Sequence, residues 1–226
     1  MTRIAVTLLV AVPFLLAAAR TAHAGWDCSD NHADSIKTIE VYAKNPTAKA
    51  GGLNGDDPDF LCADGVAKEF PDRVAKACKT ILDRKADKYA DDCIDLAALA
   101  GLTQVGDHDI FAAISTRKEN PFDFPGGFWW PRVGFLGSMA DARASAIIIK
   151  EWQDNAPKAP KKRSSNAVTS WVMWRRDACT ALAATGDADT VAFLERELAT
   201  TTGSRAKVVK ASCTGAIVAI KKRLGQ

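Results

Sequence analysis

The chain has 226 residues, with 30 basic and 27 acidic side chains, three histidines and six cysteines. That length suits one domain with a real hydrophobic core, and a net charge of +3 is too small an excess of positive charge to carry a nucleic-acid-binding reading. Beyond the N-terminus no stretch is apolar for the roughly 20 residues that a membrane-spanning helix needs.

Residues 1–24 have the three parts of a cleavable export signal: a charge at Arg3, an apolar run from Ile4 to Ala19, and small residues Ala22 and Ala24 flanking His23. Pro13 interrupts the run, and Cys28 follows Gly25-Trp26-Asp27 rather than a lipoprotein cleavage sequence. The expected product is therefore exported, periplasmic or secreted, with no transmembrane anchor after cleavage. Loss of Arg3 and Arg20 with the signal brings acid and base nearly into balance. An acidic N-terminal half and a basic C-terminal half remain, a dipole that screening confines to about 10 Å.

All six cysteines lie past the expected cut, and in an oxidising compartment an even number favours full pairing. No spacing forms C-x-x-C, and the only histidines past residue 24 are His32 and His108. Neither a zinc site nor a thioredoxin-like redox pair is expected, and neither a metal nor a cofactor is assigned.

Apolar residues then recur at helical spacing, which makes the expected class all-α. The pattern predicts a helix over 32–44, ended by Asn45-Pro46, and then an acidic loop, Asn54-Gly55-Asp56-Asp57-Pro58-Asp59. That loop lacks the frame and distant Glu of a calcium-binding EF-hand and reads as a solvated turn. Helical pattern resumes near Val66. After Pro71 the stripe Val74, Cys78, Ile81, Lys85, Tyr89, Cys93, Leu96 keeps its phase to Gly101, as one long helix or as two joined near Arg84. A hairpin there brings Cys78 to Cys93 and leaves Cys28 to Cys62, whereas one unbroken helix holds Cys78 and Cys93 about 22 Å apart. Residues 25–87 form an N-terminal helical segment carrying the acidic loop, and residues 88–226 form the rest.

Residues 120–137 contain Pro121, Pro125, Gly126, Gly127, Pro131, Gly134 and Gly137 among aromatics, and read as a structured loop with at most a short helix. Phe122, Phe124, Phe128, Trp129 and Trp130 make it the densest aromatic segment. Phe128, Trp129, Trp130 and Arg132 are the candidate binding residues: the rings supply contact area and Arg132 a group that can stack or pair with an anion. The competing reading folds the same rings over the helices. A helix over 141–152 follows, then a basic linker over 156–165 with Pro157, Pro160 and Lys161-Lys162-Arg163. Helices are predicted over 167–184, 189–199 and 205–224, the last with the stripe Val209, Cys213, Ile217, Ile220, Leu224 and a Gly225 stop. Trp171 and Trp174 read as core.

An internal echo links two of these regions. Arg176-Asp177-Ala178-Cys179-Thr180-Ala181-Leu182 runs into Thr185-Gly186-Asp187-Ala188-Asp189 and an apolar helix; upstream, Asp92-Cys93-Ile94-Asp95-Leu96 leads to Val105-Gly106-Asp107-His108-Asp109 and another. Leu136-Gly137 before Asp141 gives a weaker echo. Over about residues 88–223 the sequence resembles the HEAT-like repeats of the type named after phycobilin lyases, with their basic residue, Ala-rich first helix, Gly-Asp turn and apolar second helix. The resemblance implies a short α-solenoid of stacked antiparallel helix pairs. In such a stack Cys179 and Cys213 occupy equivalent small-residue positions of neighbouring helices one repeat apart, so a disulfide between them is expected.

Asp107-His108-Asp109 has the composition of an acid-base or metal turn, but Gly186-Asp187-Ala188-Asp189 has the same form without histidine, so both are read as helix-entry turns whose Asp side chains cap exposed amides. No nucleophile elbow, phosphate loop or His-Glu-x-x-His is present. The sequence thus points to an exported, non-enzymatic helical-repeat binding or scaffold protein whose partner is a protein or peptide. The alternative is a lyase-like or other cofactor-handling enzyme, with Asp107, His108, Asp109 and Arg132 as its first candidates.

Overall fold

The structure is a computed structural model that describes residues 32–47, 63–117, 132–155, 165–202 and 206–226. The expected signal, the acidic loop, Cys28, Cys62, Phe128, Trp129, Trp130 and linker residues 156–164 lie outside the described residues, as does the side chain of Trp171.

The described chain is mostly helical, in the order α1 (His32–Lys44), α2 (Ala63–Glu69), α3 (Pro71–Leu82), α4 (Ala90–Leu99), β1 (Gln104–Val105), β2 (His108–Asp109), α5 (Ile110–Thr116), α6 (Arg132–Met139), α7 (Arg143–Asn155), α8 (Ser165–Thr185), α9 (Ala188–Thr200) and α10 (Ala206–Arg223). The strands pair antiparallel, with Val105 opposite His108 and Gly106-Asp107 at the turn. Helical periodicity selects what each helix buries. In α3 it is Val74, Ala77, Cys78 and Ile81, and in α10 it is Val209, Cys213, Ala216, Ile217 and Ile220. Leu224, expected to extend the second stripe, is instead exposed, because the helix stops at Arg223 before another turn can bring it to the core.

The stripe from Val74 to Leu96 breaks into two helices. Arg84, in the connection, donates to the Tyr42 carbonyl at 3.2 Å and to the Ala43 carbonyl, capping the last turn of α1. It also pairs with Asp87 at 3.0 Å, while Asp87 accepts from the Tyr42 hydroxyl at 2.9 Å and from the Tyr89 amide at 2.9 Å. These bonds fix the α3–α4 hairpin against α1, and the position between residues 87 and 88 falls inside it.

The helices that follow pack in succession. α4 contacts α6, α6 contacts α8 and α8 contacts α10, while α5 lies on α4 and α6, α7 on α6 and α8, and α9 on α10. One cluster of buried side chains runs from Ile36 to Ile220 through all of them. Fully burying each Leu or Ile of such a core contributes about 1.5–3 kcal/mol, before conformational entropy is set against it.

The segment read over 120–137 as a loop with at most a short helix ends in one: residues 132–137 belong to α6. Its glycines read as breakers, but Gly137 instead provides clearance: a Cβ there would stand 2.7 Å from the Ala181 Cβ on α8. The helix forms because packing against α8 outweighs the weak helix preference of glycine, about 1 kcal/mol. Among the described residues the backbone is left-handed at three other glycines, one of them Gly106 (φ 58°) in the β1–β2 turn. Gly101 (φ 77°) and Gly225 (φ 75°) follow α4 and α10, and in each case the next amide reaches back to close a Schellman cap: Leu102 to the Ala97 carbonyl at 3.0 Å, Gln226 to the Lys221 carbonyl at 2.9 Å.

Candidate functional site

The segment singled out for its aromatic residues leaves the described structure after Arg117 and returns at Arg132. Arg132, the first residue of α6, ties the two ends together. Its Nη1 donates to the Arg117 carbonyl at 2.9 Å and to the Ser115 carbonyl at 3.2 Å, at the C-terminus of α5, and its Nη2 pairs with the carboxylate of Glu151 on α7. A guanidinium suits this place, since the last carbonyls of a helix are unpaired within it and carry the negative end of its dipole. The side chains of Arg132 and Glu151 are only 16% and 5% exposed, so the pair is withdrawn from solvent. Beside it Arg117 pairs with Asp95 of α4 at 2.6 Å and lies 5.8 Å over the Phe135 ring. The sequence pattern assigns Arg132 to a partner; the structure shows its guanidinium bound to the fold's own carbonyls and carboxylate.

Asp107, His108 and Asp109 lie in the β1–β2 hairpin beside the start of α5. Asp109 accepts from the Ala112 amide at 2.8 Å, as an N-cap. His108 Nε2 lies 3.1 Å from Asp83 Oδ1 at the end of α3, and Asp83 also pairs with Lys79 at 2.6 Å. Lys79, and after it His108, hold the Asp83 carboxyl below the usual carboxylate range. Among the described residues, no group of three or more His, Cys, Asp or Glu side chains converges as a set of metal ligands.

The parallel turn caps α9 with Asp187, which accepts from the Thr190 amide at 2.9 Å while the Thr190 hydroxyl accepts from the Asp187 amide at 3.2 Å, a reciprocal capping box. Hydrogen bonds from the Thr190 amide and hydroxyl hold the Asp187 carboxyl below its ordinary range. The two turns are out of register. In Gly186-Asp187-Ala188-Asp189 the first Asp caps, whereas in Gly106-Asp107-His108-Asp109 the second does, because the hairpin's turn takes up Gly106 and Asp107 and its second strand takes up His108 before the helix starts.

A buried polar cluster that the sequence pattern did not single out joins α7, α8 and α9. The Trp152 indole donates to Glu197 at 2.8 Å and lies between Trp174 and Phe193, both with ring centroids 5.6 Å away. Arg175 stacks 4.5 Å over the Trp152 ring and approaches Glu197 at 3.5 Å. Burial lowers the Arg175 pKa from its usual value, and the Glu197 charge opposes that shift. Only the spacing of Trp152, Trp174 and Phe193 is readable in the sequence; a buried arginine has no periodic signature.

The four cysteines among the described residues lie in two close pairs. Cys179 of α8 and Cys213 of α10 are at disulfide distance, with Cα atoms 4.9 Å apart. The sulfurs of Cys78 and Cys93 stand 2.7 Å apart between α3 and α4. Among the described residues, no helix is long and apolar enough to cross a membrane. No family model, curated protein or solved structure matches this chain.

Proposed function

We propose that the protein is an exported helical-repeat binding or scaffold protein that captures a protein or peptide through the aromatic segment between α5 and α6. The observation that supports this reading best is the Arg132 clasp. The described residues on either side of the segment holding Phe122, Phe124, Phe128, Trp129 and Trp130 meet at one point, where Arg132 bonds the Arg117 carbonyl at 2.9 Å beside the buried Glu151. Binding residues concentrate on loops that a rigid scaffold positions, and aromatic rings dominate the energetics of protein contacts. In this reading Arg132 anchors the segment, while Phe128, Trp129 and Trp130 make the contact.

The scaffold we propose is a short α-solenoid of HEAT-like character. The succession of α4, α6, α8 and α10, each packed on the next, supports it, as do the capped entries to α5 and α9. The Cys179–Cys213 pair then staples neighbouring first helices in the oxidising compartment to which the N-terminal signal directs the chain.

The test is to replace Trp129 and Trp130 together by alanine and to place a photo-crosslinking residue at position 129, with a control at Val218, which is 61% exposed on α10. Cross-linking in the native compartment should yield a defined adduct from position 129 and none from 218, and the double variant should lose capture of that adduct partner while melting at the parent temperature. Unchanged capture together with a loss of several kcal/mol, the cost typical of emptying a core of large rings, would mean that the rings pack and do not bind.

A further inference from the structure

We infer that Cys78 and Cys93 are joined in a disulfide that forms before α3 and α4 close on each other and that a reductant does not reach in the folded protein. Both cysteines are 0% exposed, and their sulfurs are already 2.7 Å apart, facing each other across the hairpin. The hairpin holds them there independently of any bond between them, because Arg84, Asp87 and Tyr42 fix its connection to α1. The inference rests on the oxidising compartment in the reading above and adds to it a second covalent staple, at the other end of the core from Cys179–Cys213.

The order of events follows from the chemistry. A disulfide forms by thiolate attack, so one of the pair must lose its proton and meet an oxidant. In the folded protein the neighbouring Cys78 thiol, and then burial, push the Cys93 thiol far above its ordinary range. No donor reaches a sulfur with no accessible surface. The oxidant is a disulfide donor of the compartment, acting while the hairpin is still open. One cysteine thiolate attacks a donor sulfur, forming a mixed disulfide and releasing one donor thiol. The second cysteine thiolate then attacks the first cysteine's sulfur and releases the other donor thiol. The chain's two sulfurs are oxidised, the donor's two are reduced, and the two thiol hydrogens finish on the donor.

Non-reducing peptide mapping of the full chain, exported and denatured in the presence of an alkylating agent, tests this. Lys79, Arg84, Lys85 and Lys88 lie between the cysteines, so trypsin separates their peptides unless a bond joins them. The expected result is one linked species, two hydrogens lighter than the sum of its peptides, alongside a linked Cys179–Cys213 pair. Alkylated Cys78 and Cys93 beside an intact Cys179–Cys213 bond would overturn this inference alone; alkylation of all four would overturn it together with the exported reading. A second arm treats the protein with a small dithiol, with and without denaturant, before alkylation. The Cys78–Cys93 bond should survive in the folded protein and break in the denatured one, and equal reduction in both would refute its inaccessibility.

Discussion

Glycine-to-alanine substitution inside a helix normally stabilises, by about 0.5–1 kcal/mol, so a position where it does the reverse is a sensitive probe of packing. At Gly137 the structure requires the reverse. The added methyl would lie 2.7 Å from the Ala181 Cβ and 2.8 Å from its Cα, whereas carbon atoms in good contact sit about 3.5–4.0 Å apart. Neither atom can rotate away, since the Cα belongs to the helix backbone and the Cβ is fixed by it, so α6 must separate from α8. Overpacking of this kind costs about 1–3 kcal/mol, and a contact this short between two helices belongs at the upper end, so after the gain in helix preference a net loss of about 2 kcal/mol is expected. Gly215, on the open face of α10 with nothing within 4 Å of where an added methyl would stand, is the internal control, and its alanine variant should gain about 0.5–1 kcal/mol. Urea unfolding of the oxidised protein reads both effects as shifts in midpoint at constant slope. Adding Ala181→Gly to Gly137→Ala should recover part of the loss, with a coupling of about 0.5 kcal/mol or more. A Gly137→Ala protein as stable as the parent, while Gly215→Ala gains as expected, would show that α6 and α8 do not approach this closely.

The buried pair at the clasp gives a larger effect: Glu151→Gln leaves the Arg132 charge without its carboxylate and should cost about 3–5 kcal/mol, whereas replacing both residues with Met and Leu should recover much of it. Thermal melts of the three variants check this, and an unchanged Glu151→Gln melt would refute the claim that the pair is withdrawn from solvent. Asp187→Ala removes the capping box of α9 and should cost about 0.5–2 kcal/mol at neutral pH, while Asp187→Asn keeps an acceptor oxygen and should lose less. Because the folded-state pKa of Asp187 is depressed, its contribution is complete above the unfolded value of about 3.9 and fades as pH falls through the folded value, so the parent-minus-Asn difference should vanish in acid.

Elements defined by their own local sequence were the legible ones. The helix predicted over 32–44 is α1, and those over 167–184, 189–199 and 205–224 are α8, α9 and α10 to within a few residues, because apolar spacing, capping residues and terminal glycines all act within one or two turns. Asp187 was readable as a cap for the same reason. The β1–β2 hairpin was not, since two residues per strand give no alternation to detect, and the turn's two Asp residues did not show which of them caps α5; it is Asp109. Periodicity also left open whether Val74 to Leu96 forms one helix or two. The break is stabilised by Arg84 reaching Tyr42 and Ala43, residues more than 40 positions away, which no local window contains.

The candidate site was legible as a composition and illegible as a geometry, and the reason lies in what arginine does when buried. A guanidinium leaves water only where several acceptors converge on it, and those acceptors come from separate elements: carbonyls of α5 and a carboxylate of α7 for Arg132, a carboxylate of α9 and a ring of α7 for Arg175. In sequence each of these arginines resembles a surface residue. Arg132 stands beside a run of aromatics and so reads as part of a contact surface; its partners show its guanidinium committed to the end of α5 and to Glu151. The distinction matters for mutagenesis. Changes at Arg132 act first on stability, through its bonds to the Arg117 and Ser115 carbonyls and to Glu151, so a variant there would not separate a loss of binding from a loss of fold.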